Sequence, residues 1–295
     1  MNLLWIDAHH HLWDLEQINY PWLMAKGEKR FFGQPDPIRK NYLVNDFCHD
    51  HQNKIVKSVH VQVGAIQNDA LNETKWLTDC AKQAADKFPA KAVVAVDMLA
   101  DDVEAQILAH KQYGVTQGVR HIIGKSEEEN ITLPKFEAEK WLHSFSLLIK
   151  HNLSFDLQFT HEQYKDVFHV LEQVPDLKVV ICHLASPWDQ SPAGFKHWQD
   201  NMQRFAQLPN CYMKLSGFSM FNHKMIADKF FEYCHEAIKL FSPQRCMFGS
   251  NFPVDKLYIS YQALFELWQE IVDQYNPDDA HFLRYKTANR FYQID

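Results

Sequence analysis

The feature that most constrains the fold is an alternation repeated along all 295 residues. Short apolar, β-rich runs fall at Trp5–His9, Val56–Val63, Ala92–Met98, Thr116–His121, Leu153–Phe159, Lys178–Cys182, Cys211–Leu215 and Arg245–Gly249. Most are almost continuously apolar, the pattern of strands covered on both faces. Stretches with helical period separate them, at Leu71–Phe88, Asp102–Tyr113, Glu137–Lys150, His161–Gln173, Gly194–Gln207 and His223–Phe241. A last helix spans about Ser260–Val272 and a short one follows it. Strands that mostly precede a helix, in a chain of this length, predict one (β/α)8 barrel over residues 1–295. The first connection breaks the pattern: Leu15–Asn45 carries Pro21, Pro35 and Pro37, several aromatics and little helical period. It predicts a long loop lying over the carboxyl-terminal mouth. No linker, low-complexity segment or repeat divides the chain.

Bulk properties narrow the partners. Thirty Lys and Arg against 37 Asp and Glu give a net charge of −7, scattered along the chain, which argues against nucleic acid. The six cysteines form no CxxC pair, so neither structural zinc nor a disulfide framework is expected. The amino terminus lacks a basic segment followed by an apolar one, and no apolar run approaches the ~18 residues of a membrane span. The expectation is a cytoplasmic protein that meets neither membrane nor nucleic acid. Its oligomeric state is open, a homo-oligomer included.

Polar residues then collect at strand ends. In "IDAHHHLWD", alternation along a strand puts Asp7, His9 and His11 on one face and His10 on the other. Two histidines at i and i+2 can converge on one ion, although a short histidine cluster alone reads as easily as a solvated strand end. "VVICHLASP" puts His183 at the end of the sixth run, "GVRHI" puts Arg120 and His121 at the end of the fourth, and "VHVQVG" puts Gln62 in the second. "CYMKLSGF" holds Lys214, and "MFGSNFPVD" ends the eighth run with Asn251 and Asp255. Each could be bland by itself, Lys214 as a strand-edge residue and His183 as a core histidine. Recurrence at the carboxyl ends of barrel strands is where such folds build active sites.

In that order, "IDAHHHLWD", "GVRH", "HLASP", "KLSG" and "FGSNFPVD" resemble the markers of the amidohydrolase superfamily. The likeness is to its family 2 branch of sugar-lactone and dicarboxylate-lactone hydrolases, and it runs over essentially the whole chain. It implies a distorted (β/α)8 barrel, with His9, His11 and His183 binding one divalent metal, zinc by preference, or polarising the substrate carbonyl without an ion. Arg120 matches an arginine that meets substrate carboxylate or lactone oxygens, and Lys214 a lysine near the pocket. The family's strand-eight aspartate falls on Asn251, which cannot take a proton near neutral pH and is a poor metal ligand.

The base is therefore open among Asp255, His183, His121, Asp7 and Asp156, with Asn251 orienting a water. Gln62, Arg120, His121, Lys214 and Trp13 would hold an anionic or polyhydroxylated small molecule. Trp13, Tyr20, Trp22, Phe31 and Phe32 in the first loop, and Trp188, either stack on a substrate ring or anchor the loops. The activity expected is hydrolysis of a sugar lactone or carboxylated lactone. A metal-dependent decarboxylase or isomerase, and a barrel that binds a metabolite without turnover, are the alternatives.

Overall fold

The computed structural model describes residues 4–83, 88–123 and 138–295. Eight parallel strands pair in sequence order: β1 (Ile6–His10), β2 (Lys57–Val61), β3 (Lys91–Ala95), β4 (Thr116–Arg120), β5 (Ser154–Leu157), β6 (Val179–Ile181), β7 (Cys211–Leu215) and β8 (Cys246–Phe248). Each overlaps one of the eight predicted runs, β1 ending one residue later at His10 and β3 starting one residue earlier at Lys91. The seam between β8 and β1 closes just past the end of β8, where Asn251 N donates to His9 O and His11 N donates to Phe252 O, both at 2.7 Å. The fold is a (β/α)8 barrel.

The helices are α1 (Pro21–Met24), α2 (Val44–His51), α3 (Ala70–Gln83), α4 (Val103–Lys111), α5 (Ala138–Lys150), α6 (Tyr164–Leu171), α7 (Pro192–Phe205), α8 (Ala227–Phe241), α9 (Tyr261–Val272), α10 (Pro277–His281) and α11 (Thr287–Tyr292). The predicted end of the first helix (84–87) and the predicted start at Glu137 lie outside the described residues. Local chemistry sets several starts. Ser191 caps α7 through Gly194 N, with Pro192 in the first turn, and Ser260 caps α9 through Ala263 N. In the first connection, α1 and the longer α2 were not expected, and α2 is the informative case. Its sequence VNDFCHDH is mostly polar, and it is held by Phe47 buried on one side, Asp46 accepting from Leu43 N at its start, and a left-handed Gln52 ending it. Among the described residues no helix is long and apolar enough to cross a membrane.

Inside the barrel the side chains form layers. Ile6, Ala8, Val59, Val61, Val93, Val180 and Met247 pack with Ala288, Phe291 and Tyr292 of α11, which plug the barrel opposite the pocket. The larger apolar shell lies between sheet and helices and includes Trp5, Phe248 and Trp268.

Candidate active site

Strand β1 does not follow simple alternation. Asp7 pairs with Ser58 but His10 with His60, so three steps on β1 match two on β2. This bulge changes which side chains share a face. Ala8 packs into the barrel interior while Asp7 turns to α9, accepting from Tyr261 OH at 2.9 Å and from Ser250 N at 2.9 Å. Asp7 therefore leaves the face it was expected to share with His9 and His11. Burial raises its carboxyl to about 6, against the opposing pull of Ser250, and it clamps β8 to β1. His10 stacks on Phe47 of α2, ring centroids 4.1 Å apart.

A cavity of about 560 Å³ opens at the carboxyl ends of the strands. His11, Arg120, Gln158, His183 and Asn251 provide its polar lining, and Trp22, Phe31, Phe32, Val63, Ile122, Met220 and Val254 its apolar walls. The long first connection thus supplies a wall of the pocket, with Glu28 and Arg30 also on it. Trp22 is braced there by its indole N–H on Val63 O and edge-on by Trp13.

His11 Nδ1 lies 2.7 Å from Val61 O, and its Nε2 lies 3.1 Å from Asn251 Oδ1. Both oxygens only accept, and a ring with one proton can donate to one of them. The shorter contact, to Val61 O, puts the proton on Nδ1, and Nε2 then faces the Asn251 oxygen with a lone pair and no direct hydrogen bond. Burial, then the Arg120 charge, push the His11 pKa down to about 3, so the ring is neutral. Asn251 donates through its amide nitrogen to Asp255 Oδ1 at 2.9 Å and turns its oxygen to His11. Its φ of 56° is left-handed, a conformation asparagine tolerates better than most residues. Asp255 does not line the cavity. Burial raises its pKa to about 7, with the Asn251 hydrogen bond pulling the other way.

His183 opens a turn in which His183, Leu184, Ala185 and Ser186 all have φ between 51° and 58°. Such backbone costs roughly 1–2 kcal/mol per non-glycine residue, so the surroundings must hold it. Trp198 Nε1 donates to Leu184 O at 2.7 Å, Tyr164 OH to Ala185 O at 2.8 Å, and His183 N to Ser216 Oγ at 3.3 Å. The imidazole Nδ1 also meets Ser216 Oγ, at 3.0 Å. Gly217, at φ 62°, lies against this ring, and a Cβ there would collide with it.

Arg120 is 6% exposed. It donates to Gln158 Oε1 at 3.2 Å and to the Gln62 carbonyl, and its Nε has no hydrogen-bond partner among the described residues. Burial lowers its pKa, and no carboxylate pairs with it among the described residues. A buried guanidinium left this way favours an anionic or oxyanionic group in the cavity.

Other expected site residues lie elsewhere. Gln62 spends its side-chain oxygen on Gly64 N at 2.6 Å and meets Arg120 only through its backbone. His121 Nδ1 accepts from Met98 N at 3.1 Å, away from the cavity. Trp13 is buried with its indole N–H on Lys40 O at 2.7 Å. His9 and Lys214 form a layer beneath the cavity. Lys214 Nζ lies 2.5 Å from Asp156 Oδ2 and 3.3 Å from His9 Nδ1, and Tyr292 OH donates to Asp156 at 2.9 Å. Lys214 and Asp156 are fully buried. Burial first, then Lys214, hold the His9 pKa well below its ordinary value.

Metal donors can be tested against this geometry. Among the described residues, the histidine, cysteine and acidic side chains whose donor atoms all lie within 4.8 Å of one another are His9, Asp156 and Cys182. The expected trio of His9, His11 and His183 is not brought within that reach, and of the His11 ring nitrogens Nδ1 is engaged by Val61 O. The donors that do converge are of the class that holds a divalent cation, but the Lys214 ammonium already touches His9 and Asp156. An ion would have to displace it.

Gln158, Met220, Ile122 and Val254 were not anticipated as lining. Gln158 had a visible signal, a polar residue ending an apolar strand, whereas Tyr292 reaches Asp156 from the far end of the chain with none.

The comparisons agree with this architecture. An uncharacterized protein, y4mH, of Sinorhizobium fredii is 33% identical over 294 residues, 98% of each chain. An L-fucono-1,5-lactonase of Burkholderia multivorans is 26% identical, covering 92% of this chain and 90% of its own. The crystal structure of a Burkholderia multivorans amidohydrolase with bound zinc superposes with a TM-score of 0.80 at 23% identity, over 99% of this chain and 100% of that one. The family model described as amidohydrolase matches residues 6–294, and with the barrel and its strand-end pocket this establishes the chain as a hydrolase of the amidohydrolase family.

Proposed function

We propose that this enzyme hydrolyses a small cyclic ester, a sugar lactone or a carboxylated lactone. The observation that carries the reading is the pair of acceptors on the pocket floor, His11 Nε2 and Asn251 Oδ1, 3.1 Å apart. Both present lone pairs, so the arrangement suits one water donating a proton to each. A water oriented in this way turns its own lone pair to a carbonyl carbon. Its oxygen bonds to that carbon and its proton passes to His11 Nε2. As the ring C–O bond breaks, His11 returns the proton to the leaving oxygen, and the product is the open hydroxy acid.

Arg120, whose Nε–H has no partner among the described residues, stabilises the oxyanion or holds a substrate carboxylate. Asn251 takes the place of a basic residue by positioning the water, and Asp255 holds its amide. The lactonase named among the relatives supports the substrate class.

The zinc-bound Burkholderia structure supports a divalent cation in barrels of this kind. In this chain Lys214 lies among the converging donors, so the reading routes no step through an ion. A pH-indicator screen of sugar and carboxylated lactones, with and without added zinc, tests it. Turnover is expected on members of the panel, and Asn251→Leu should lower kcat about 100-fold, the usual cost of one positioned polar group. An inert wild type across the panel, with and without zinc, ends the lactone reading.

A further inference from the structure

The Lys214 ammonium is sealed in the barrel, with no exposed surface. It contacts two of the three side chains that otherwise compose a cation site, Asp156 at 2.5 Å and His9 at 3.3 Å. The third, Cys182, has its sulfur 4.0 Å from the same Asp156 oxygen. Tyr292 OH completes the carboxylate's partners from below, and the ammonium sits over the Tyr292 ring, 5.2 Å from its centroid. An ammonium has three donors and no acceptor. His9 Nδ1 facing it must therefore accept, and the single proton of the neutral ring must sit on Nε2. That Nε2 is buried and has no hydrogen-bond partner among the described residues. The His9 ring lies 4.5 Å from His183 and 5.1 Å from His11, centroid to centroid, immediately behind the two histidines that line the pocket.

We infer that Lys214 is the resident cation of this barrel: it occupies the place of a metal among His9, Asp156 and Cys182, and it fixes His9 as a hydrogen-bond donor rather than a metal ligand. Lys214 is thus a positioning residue that acts through His9. The charge of the ammonium is balanced by Asp156, and the Tyr292 hydroxyl keeps that carboxylate turned down, away from the pocket. The remaining ring nitrogen, behind His11 and His183, is thereby an N–H in place of a lone pair. Neither the tautomer nor the place of the cation rests on the lactone reading.

The experiment is nitrogen-15 NMR of the full-length protein labelled in histidine, with the His9 signals assigned by their loss in His9→Gln. The expected wild-type result is a proton on His9 Nε2 and an unprotonated, hydrogen-bonded Nδ1, with both signals unmoved by a slight excess of zinc. A proton on Nδ1, or a zinc-induced shift of either His9 nitrogen at one equivalent, overturns the inference. Lys214→Met alone would leave Asp156 buried and unpaired, and such a variant is prone to misfold. The double variant Lys214→Met with Asp156→Asn removes both charges together, and it should release His9 into a mixture of tautomers. Retention of the single Nε2–H form in the double variant also overturns the inference. Because these readouts need no turnover, a failed lactone screen leaves them intact, and a failed NMR test leaves the lactone screen intact.

Discussion

At the residue scale, the decisive substitution is the asparagine at 251. A carboxylate there would be the direct base. In the reaction proposed above the amide leaves proton transfer to His11, whose Nδ1 is tied to Val61 O and which lines the pocket. The orientation of the Asn251 amide depends on Asp255. With Asp255 ionised, the amide donates to it and keeps its oxygen on the water site. With Asp255 protonated, its hydroxyl donates to the amide oxygen and the amide turns its N–H to His11 Nε2, which closes the site to water. Burial places this switch at about 7. Lactone hydrolysis should therefore fall as pH drops below about 7, and Asp255→Asn should remove that limb from the kcat profile. A wild-type profile flat from pH 5 to 8 would refute the switch. The sign for stability is opposite. The raised pKa makes the carboxyl more favourable to folding when protonated, so its contribution is complete below the ordinary carboxylate range and is lost as pH rises through about 7. At pH 8 Asp255→Asn should consequently melt higher than the wild type, and at pH 5 about the same.

At the scale of elements, the left-handed turn from His183 to Ser186 shows how strain is placed and held. Four successive non-glycine residues would not adopt this backbone alone. They adopt it because buried donors from α6 and α7 reach their carbonyls. Trp198→Phe removes one donor and leaves Leu184 O unsatisfied, which costs about 1–3 kcal/mol. Denaturant melts should show that loss, together with a lower kcat, since the turn aims His183. Gly217→Ala tests the same element from the other side. The added methyl collides with the His183 ring, so activity should collapse while the far-UV spectrum of the barrel is kept. The bulge in β1 belongs at this scale as well. It was invisible in "IDAHHHLWD", because alternation is a property of a strand alone and the extra residue is defined only against the register of β2.

At the scale of the whole molecule, the barrel stacks an apolar plug, a charged layer and a pocket along one axis. The plug comes from the last residues of the chain, and the charged layer needs its dryness, since the attraction between Lys214 and Asp156 weakens as water raises the local dielectric. Deleting residues 287–295 should therefore abolish activity without touching any residue that lines the pocket. Dye binding to exposed apolar surface should report the opened end. Retained turnover in a stable truncated protein would show that the plug is dispensable.

Much of this is legible in the sequence. The eight apolar runs are long enough, and sufficiently spaced by helical period, that a parallel barrel is the arrangement that covers both faces of every strand. The strand ends at Arg120, His183 and Asn251 were readable because polar residues ending buried strands have to face a cavity or a partner. Tertiary structure alone decided which histidines meet the pocket and which stand behind it. It also decided that Gln62, His121 and Trp13 point elsewhere, and that Lys214 shares its layer with Tyr292 of the last helix. The physical reason is that periodicity follows from local backbone geometry and is written in neighbouring residues. Side-chain convergence depends on register, closure and burial among segments far apart in the chain, 205 residues for Lys214 and His9 and 254 for Asp7 and Tyr261.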